Sequence, residues 1–246
     1  MELIFFHGTI QGRSHDVNED CITTIPEARL AILSDGIGGR AAGEVASRMA
    51  VETVAEQFTT QTSEATDALD NAHVQQVFLR SALLAHDRIR ELADAKIDLS
   101  GMGTTLLAVY FGVDELTALH VGDSRLYRLR GGSLSQLNED HTFASNRKLR
   151  TGYASGYLLR SIGTEDIFEP DLISSTIAAQ DLYMLCSDGL SDLLPENEIL
   201  EILLSSGPGY EEKIDILIEK ALEYGSQDDI SIVIVFIEKL SDTQPI

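Results

Sequence analysis

The residues of this chain best suited to do chemistry are acids that fall beside glycine at the ends of apolar runs. Asn18-Glu19-Asp20, Ser34-Asp35-Gly36, Ser187-Asp188-Gly189 and Gln227-Asp228-Asp229 share that arrangement, and Gly122-Asp123-Ser124 ends a fifth run. A carboxylate at a strand end is aimed outward from rigid scaffold into a cleft. One Asp-Gly alone reads as a turn; the recurrence of the pattern reads as convergence. Carboxylates brought together repel one another unless cations neutralise them, and hard oxygen ligands with open water positions suit Mg²⁺ or Mn²⁺.

The elements that must position these acids follow from hydrophobic periodicity. Alternation and β-branched residues predict strands over Leu3–Ile10, Cys21–Ile25, Arg29–Ser34, Thr104–Phe111, Leu116–Val121, Arg125–Arg130, Ser133–Leu137, Pro170–Thr176, Leu182–Cys186 and Ile230–Glu238. Gly131-Gly132 is a hairpin signal between two of them. Helical spacing appears in Ala42–Phe58, Val74–Leu92, Glu196–Leu204 and Tyr210–Tyr224, with Pro195 at a first-turn position. Gln61–Asn71 is a polar connection and His141–Tyr157 a polar, Gly/Ser-rich loop. Strands at both ends with two long helices between them are not a βαβα alternation, so antiparallel sheets with helices packed outside are expected. At 246 residues and 43% hydrophobic the chain can bury a full core. One domain over residues 1–240, with a short tail at 241–246, is the simplest division.

Charge removes several function classes. Eighteen Lys and Arg against forty Asp and Glu leave a net charge of −22, which repels nucleic-acid phosphates and anionic lipid. The run Ile232–Ile237 is far short of the ~18 apolar residues of a spanning helix, and Met1–Phe6 lacks the basic start of a secretory leader. A soluble, cytoplasmic protein is expected, with Cys21 and Cys186 as reduced core thiols. No phosphate-binding GxxxxGK[ST] loop occurs. The sixth residues after Cys21 and Cys186 are Glu27 and Asp192, so a cysteine phosphatase motif is absent. Gly36–Ala41 does satisfy GxGxxA before a predicted helix, with Glu56 downstream. Against a dinucleotide site, Asp35 would oppose a pyrophosphate and the following segments do not alternate.

Eight segments in register along nearly the whole chain resemble the metal-dependent protein phosphatases of the 2C (PPM) type. They are NED at Asn18–Asp20, SDGIGG through AGEVAS at Ser34–Ser47, SGMGTT at Ser100–Thr105, VGDSR at Val121–Arg125, Asp140-His141, LLRSIG at Leu158–Gly163, CSDGLSD at Cys186–Asp192 and GSQDDIS at Gly225–Ser231. The resemblance implies an α+β fold, a central β-sandwich of two antiparallel sheets flanked by pairs of α-helices in four layers, α/β/β/α. It also implies a binuclear Mg²⁺ or Mn²⁺ centre: Asp35 bridging, Glu19 and the Gly36 carbonyl on one ion, Asp188 and Asp228 on the other, and Asp123 with Asp188 at a looser third position. Asp20 would orient waters. The implied function is hydrolysis of phosphoserine and phosphothreonine in proteins by a hydroxide held between two ions, in a monomer, opposite a cognate Ser/Thr kinase. The alternative is a phosphatase fold kept as a weakly active binding or sensing module.

The alternative draws its support from departures from the family pattern. The usual phosphate-binding arginine position is His15, with Arg13 two residues earlier; were this stretch extended, both would share a face, and Arg13 is the better bidentate phosphate ligand. Ile37 stands where some relatives carry a proton-donating histidine. Residues 125–160 carry net +5 (Arg125, Arg128, Arg130, Arg147, Lys148, Arg150 and Arg160 against Glu139 and Asp140), which could draw in acidic phosphosubstrates. Asp123 could alternatively pair with Arg125. His7, His73, His86, His120 and His141 read as ordinary surface or packing histidines.

Overall fold

A computed structural model describes residues 1–37, 42–62, 69–142, 158–164 and 168–240. Strands β1 (Glu2–Ile10), β2 (Asp20–Ile25) and β3 (Leu30–Ile37) lead into helices α1 (Gly43–Thr62) and α2 (Asn71–Ala95). Next come β4 (Gly103–Thr104), β5 (Leu106–Phe111), β6 (Glu115–Val121), β7 (Arg125–Arg130), β8 (Ser133–Gln136), β9 (Asp171–Thr176) and β10 (Leu182–Cys186). Helices α3 (Asp188–Ser191), α4 (Glu196–Leu204) and α5 (Tyr210–Glu223) precede β11 (Ile230–Lys239). One sheet is ordered β1-β11-β10-β7-β8; the other is β2-β3-β5-β6-β9, with β4 added to β3. Every pairing between these strands is antiparallel.

Side-chain alternation explains the layering. In β3, Leu30 and Ile32 pack under α1 and α2 while Ala31 and Leu33 face the other sheet. Strand β5 does the same with Leu106, Ala108 and Tyr110 outward and Leu107, Val109 and Phe111 inward. On the opposite side, Ile230, Ile232 and Ile234 of β11 meet α4 and α5, and Val233, Val235 and Ile237 fill the space between sheets. These central strands are buried on both faces, which is why their sequences are nearly unbroken apolar runs. Each such side chain contributes about 1.5–3 kcal/mol by leaving water, and the resulting rigidity is what the strand ends inherit.

The four-layer α/β/β/α sandwich expected from the sequence is therefore the fold. The dinucleotide reading is overturned, because βαβ crossovers and a parallel sheet are absent from the described residues, and Gly38–Ala41 lie outside them. Differences at the edges have local causes. Arg29 adopts a left-handed φ of 53° that closes a turn from Pro26, so the strand begins at Leu30. Helix α2 starts early because the Asp70 side chain accepts from His73 N at 2.7 Å and caps it. Pro195 is the N-cap of α4. Gly131 and Gly132, with φ of 57° and 82°, make the β7–β8 turn. Cys21 is half-buried and Cys186 buried, both free thiols.

At the end of the sandwich away from the acids, Asp181 is 1% exposed and accepts from Arg130 Nε (2.7 Å), Arg130 Nη2 (2.6 Å), Tyr183 Oη (3.0 Å) and Ala178 N (2.7 Å). Arg130 Nη2 also donates to the Thr176 carbonyl (2.7 Å), joining the two sheets. Asp181→Ala should destabilise by about 2–3 kcal/mol, less than a fully buried pair because Arg130 is partly exposed, lowering the melting temperature by roughly 5–10 °C. Differential scanning calorimetry checks this; an unchanged melting temperature would mean the clamp is idle.

Candidate metal centre

All five acid segments lie at one end of the two sheets. Asp20 opens β2 directly across from Asp35 on β3. Asp188 follows β10, Asp228 precedes β11, and Asp123 follows β6. Glycines permit the approach. A Cβ on Gly36 would stand 2.4 Å from the Gly43 backbone, and one on Gly43 would stand 2.7 Å from Glu19 Oε2. Gly122 has φ of 113° and lies against Thr105, so the turn before Asp123 needs glycine twice over.

Hydroxyls brace this end. Asp35 N donates to Thr105 Oγ1 (2.9 Å), while Thr105 N (2.8 Å) and Thr104 Oγ1 (2.7 Å) donate to the Asp35 carbonyl. Thr105 Oγ1 also meets Ser124 Oγ at 2.8 Å, connecting the Asp35 and Asp123 turns. Ser187 Oγ donates to Asp20 Oδ2 (2.9 Å) and accepts from Ser231 N (2.9 Å). The sequence motif SGMGTT thus acts through its threonines, which hold an acid on another strand.

Electrostatically the cluster is under-neutralised. Burial, then neighbouring carboxylates, pushes Asp20 up to about 7, Asp123 up to about 7 and Asp188 up to about 6. Asp35 is raised well above the usual carboxylate range, first by burial and then by the charge of Asp20, Asp188 and Asp123. Burial also raises Glu19. Three buried oxygens, Glu19 Oε2, Asp20 Oδ1 and Asp188 Oδ1, have no hydrogen-bond partner among the described residues. Orphaned, negatively polarised oxygens on several converging carboxylates are what a hard divalent ion takes as ligands, so the residues fit Mg²⁺ or Mn²⁺. A recess of about 350 Å³ lined by Ser14, Asp188, Asp192, Gln227 and Asp228 gives access.

Several sequence expectations change here. Asp123 does not pair with Arg125: that guanidinium binds Asp140 at 2.7 and 2.9 Å and approaches Asp192 at 3.7 Å. The stretch from Gly12 to Asp20 is not extended but bends at residues 13–14 and 16–17, so the shared face expected of residues 13 and 15 does not form. Arg13 is exposed and pairs with none of the described residues, whereas His15 Nδ1 lies 2.9 Å from Asp229 Oδ2. Burial lowers His15, but its hydrogen bond to Asp229 and the field of Asp228 outweigh this and leave it raised.

Of the seven cations counted over 125–160, four serve the structure: Arg125 holds Asp140, Arg130 holds Asp181, Arg160 Nη1 donates to Asp171 Oδ1 (2.9 Å) and Arg128 Nη1 to Ser175 Oγ (3.2 Å). Arg147, Lys148 and Arg150 lie outside the described residues. His141 is a buried brace, accepting from Gly122 N at 3.1 Å and meeting Asp171 at 3.1 Å; His120 and His86 are also buried, and His7 and His73 are exposed. Asp229 is the site residue that reading the sequence missed. Only the doubled acid of Gln227-Asp228-Asp229 hinted at it.

A family model described as Protein phosphatase 2C matches residues 8–213. The chain belongs to the protein phosphatase 2C family. It is 36% identical over 241 residues to the serine/threonine phosphatase stp of Listeria monocytogenes, covering 92% of this chain and 93% of that one. Among solved structures, serine/threonine phosphatase Stp1 from Staphylococcus aureus superposes with a TM-score of 0.86 at 26% identity, over 97% of this chain and 96% of that one. The catalytic domain of the serine threonine protein phosphatase PstP, in complex with two manganese ions, superposes with a TM-score of 0.80 at 34% identity, over 96% and 99%. The full-length PstP of Mycobacterium tuberculosis is longer, and this chain covers 44% of it.

The raised acids of this phosphatase make its stability depend on pH in a defined direction. Asp20, Asp123 and Asp188 keep their protons to about 6–7 in the folded protein and lose them near 4 when unfolded. Between those values the folded state binds more protons, so without divalent ions stability falls as pH rises from about 4 to about 7. Thermal melts in chelator should show that fall, and saturating Mn²⁺ should abolish or reverse it. A pH-independent melting temperature in chelator would contradict the repulsion described here.

Proposed function

We propose that this phosphatase removes phosphate from phosphoserine and phosphothreonine side chains of proteins at the acid cluster between the sheet ends. The observation that carries the reading is the set of buried, un-neutralised carboxylates, three of whose oxygens lack any partner among the described residues. Glu19, Asp35, the Gly36 carbonyl, Asp188 and Asp228 would hold two Mg²⁺ or Mn²⁺ ions, and Asp123 with Asp188 a third. Bound there, such ions supply Lewis-acid stabilisation of phosphoryl oxygens and lower the pKa of water. The two manganese ions of the PstP catalytic domain support the same stoichiometry here.

The chain's own groups divide the remaining work. Asp20 is pinned through Oδ2 by Ser187, which leaves its buried Oδ1 to accept from, and so orient, a water. Arg13, exposed and unpaired among the described residues, is charged at every working pH and can clamp two phosphate oxygens as a fork. His15 is tied to Asp229 and is less free to reach substrate. Ile37 offers no proton, so the leaving oxygen must take its proton from water. A silent binding module would have no reason to keep every ligand position acidic, and the relatives named as phosphatases argue for turnover. We place the enzyme opposite a Ser/Thr kinase, as a cytoplasmic monomer; among the described residues no helix is long and apolar enough to cross a membrane.

Phosphate release from a phosphothreonine peptide should require Mn²⁺ or Mg²⁺ and cease in chelator; undiminished release in excess chelator would refute the reading. Asp35→Asn, Asp188→Asn and Asp228→Asn should each lower kcat at least about a hundredfold, more than loss of a group that merely supports a ligand. Asp123→Ala should lower turnover while calorimetry still counts two bound ions. For Arg13→Ala the expected change is a raised KM throughout the range from about pH 6 to about pH 9; an unchanged KM would release Arg13 from the phosphate-binding role.

A further inference from the structure

The turn before β11 grips the chain entering the site through a single carboxylate. Asp229, 2% exposed, accepts from Gly12 N at 2.6 Å and Glu19 N at 2.7 Å, and its Oδ2 lies 2.9 Å from His15 Nδ1. The same imidazole nitrogen stands 3.5 Å from Asp228 Oδ1. Gly12 fits against this turn because a Cβ there would come within 2.3 Å of the Asp228 backbone. Ser14 adds two bonds to the Gln227 carbonyl, from N (3.0 Å) and Oγ (2.7 Å). The ring is thus held on both sides along the chain and cannot readily drift from the two acids.

Around one ion with bonds of about 2.1 Å, neighbouring ligand atoms stand about 3.0 Å apart in an octahedron and about 3.4 Å in a tetrahedron. The spacings of His15 Nδ1 from Asp229 and Asp228, 2.9 and 3.5 Å, are of that size. Asp188 Oδ1, buried and without a partner among the described residues, belongs to the same end of the cluster, since Asp188 and Asp228 line one recess together with Ser14. An arginine at position 15 would have no lone pair to offer; an imidazole has one.

We propose that His15 supplies a nitrogen ligand to the divalent ion held at Asp228, giving a mixed nitrogen and oxygen site where the acids alone would give only oxygen. The assignment rests on reading the acid cluster as a metal centre. Its consequence is metal choice: Mg²⁺ prefers oxygen and dehydrates reluctantly, whereas a first-row transition ion accepts an imidazole nitrogen more readily, so His15 tilts the centre away from Mg²⁺ and toward Mn²⁺ or a later ion of that row. Asp229 is the positioning residue through the Gly12 and Glu19 amides it holds on either side of His15; when the ion binds, Nδ1 gives up to water the proton it shares with Asp229 Oδ2, and its lone pair is then free for the metal.

The test uses the full chain, stripped of metal and reloaded with Mn²⁺ alone. Electron spin echo envelope modulation should show an imidazole ¹⁴N coupling that changes to the ¹⁵N pattern when histidine is ¹⁵N-labelled. The coupling should vanish in His15→Ala and in His15→Gln, both still binding Mn²⁺ through the carboxylates. Calorimetry should find Mn²⁺ affinity at this site lowered at least about tenfold in both variants, with Mg²⁺ affinity changed less. Bound Mn²⁺ and intact phosphatase turnover without an imidazole coupling, or a coupling that persists in both variants, would overturn the assignment alone. A chain that binds no Mn²⁺ would overturn it together with the reading it rests on.

Discussion

Mutual repulsion among carboxylates that the fold will not let apart is the constraint around which this protein is organised. Asp20, Asp35, Asp123 and Asp188 come from the ends of separate strands in two sheets, and burial strips them of the water that would screen them. A loose scaffold would relax by swinging the acids outward. Here it cannot, because β3, β5, β10 and β11 are packed on both faces and their ends move only with the whole sandwich. Backbone amides and hydroxyls from Thr104, Thr105, Ser187 and Asp229 itself fix the turns. They orient the carboxylates without supplying a full positive charge.

Three arginines among the described residues are kept from quenching the cluster. Arg125 is committed to Asp140, Arg130 to Asp181 at the far end, and Arg160 to Asp171. The buried histidines add no charge either. Burial and then His141 push His120 down to about 3, and burial lowers His141 as well, so both are neutral at working pH. On the function proposed above, divalent ions would complete the structure at the same place where they are needed for chemistry. Stability and catalysis meet in one set of side chains.

Metal dependence also makes sense of the two departures at the mouth of the site. The imidazole at position 15 lies on the acid side of the cluster, because Asp229 captures it. Arg13, one bend away, is exposed and pairs with none of the described residues. The net charge of −22 makes an exposed arginine next to Ser14, which lines the recess, the more consequential for an anionic substrate.

By itself, the amino-acid sequence determined the layers and the address of the centre. Alternating apolar residues set which face each strand buries, and an acid beside glycine at a strand end is a local signal that survives without any knowledge of neighbours. Elements too short to carry a period escaped it: β4 has two residues and α3 has four. Tertiary structure alone decided the partners. Asp229 is more than two hundred residues from Gly12, His15 and Glu19, and Arg125 could as well have taken Asp123, one bend away, as Asp140. A carboxylate's role depends on which donors reach its oxygens, and sequence spacing carries no information about that distance until the sheets have closed.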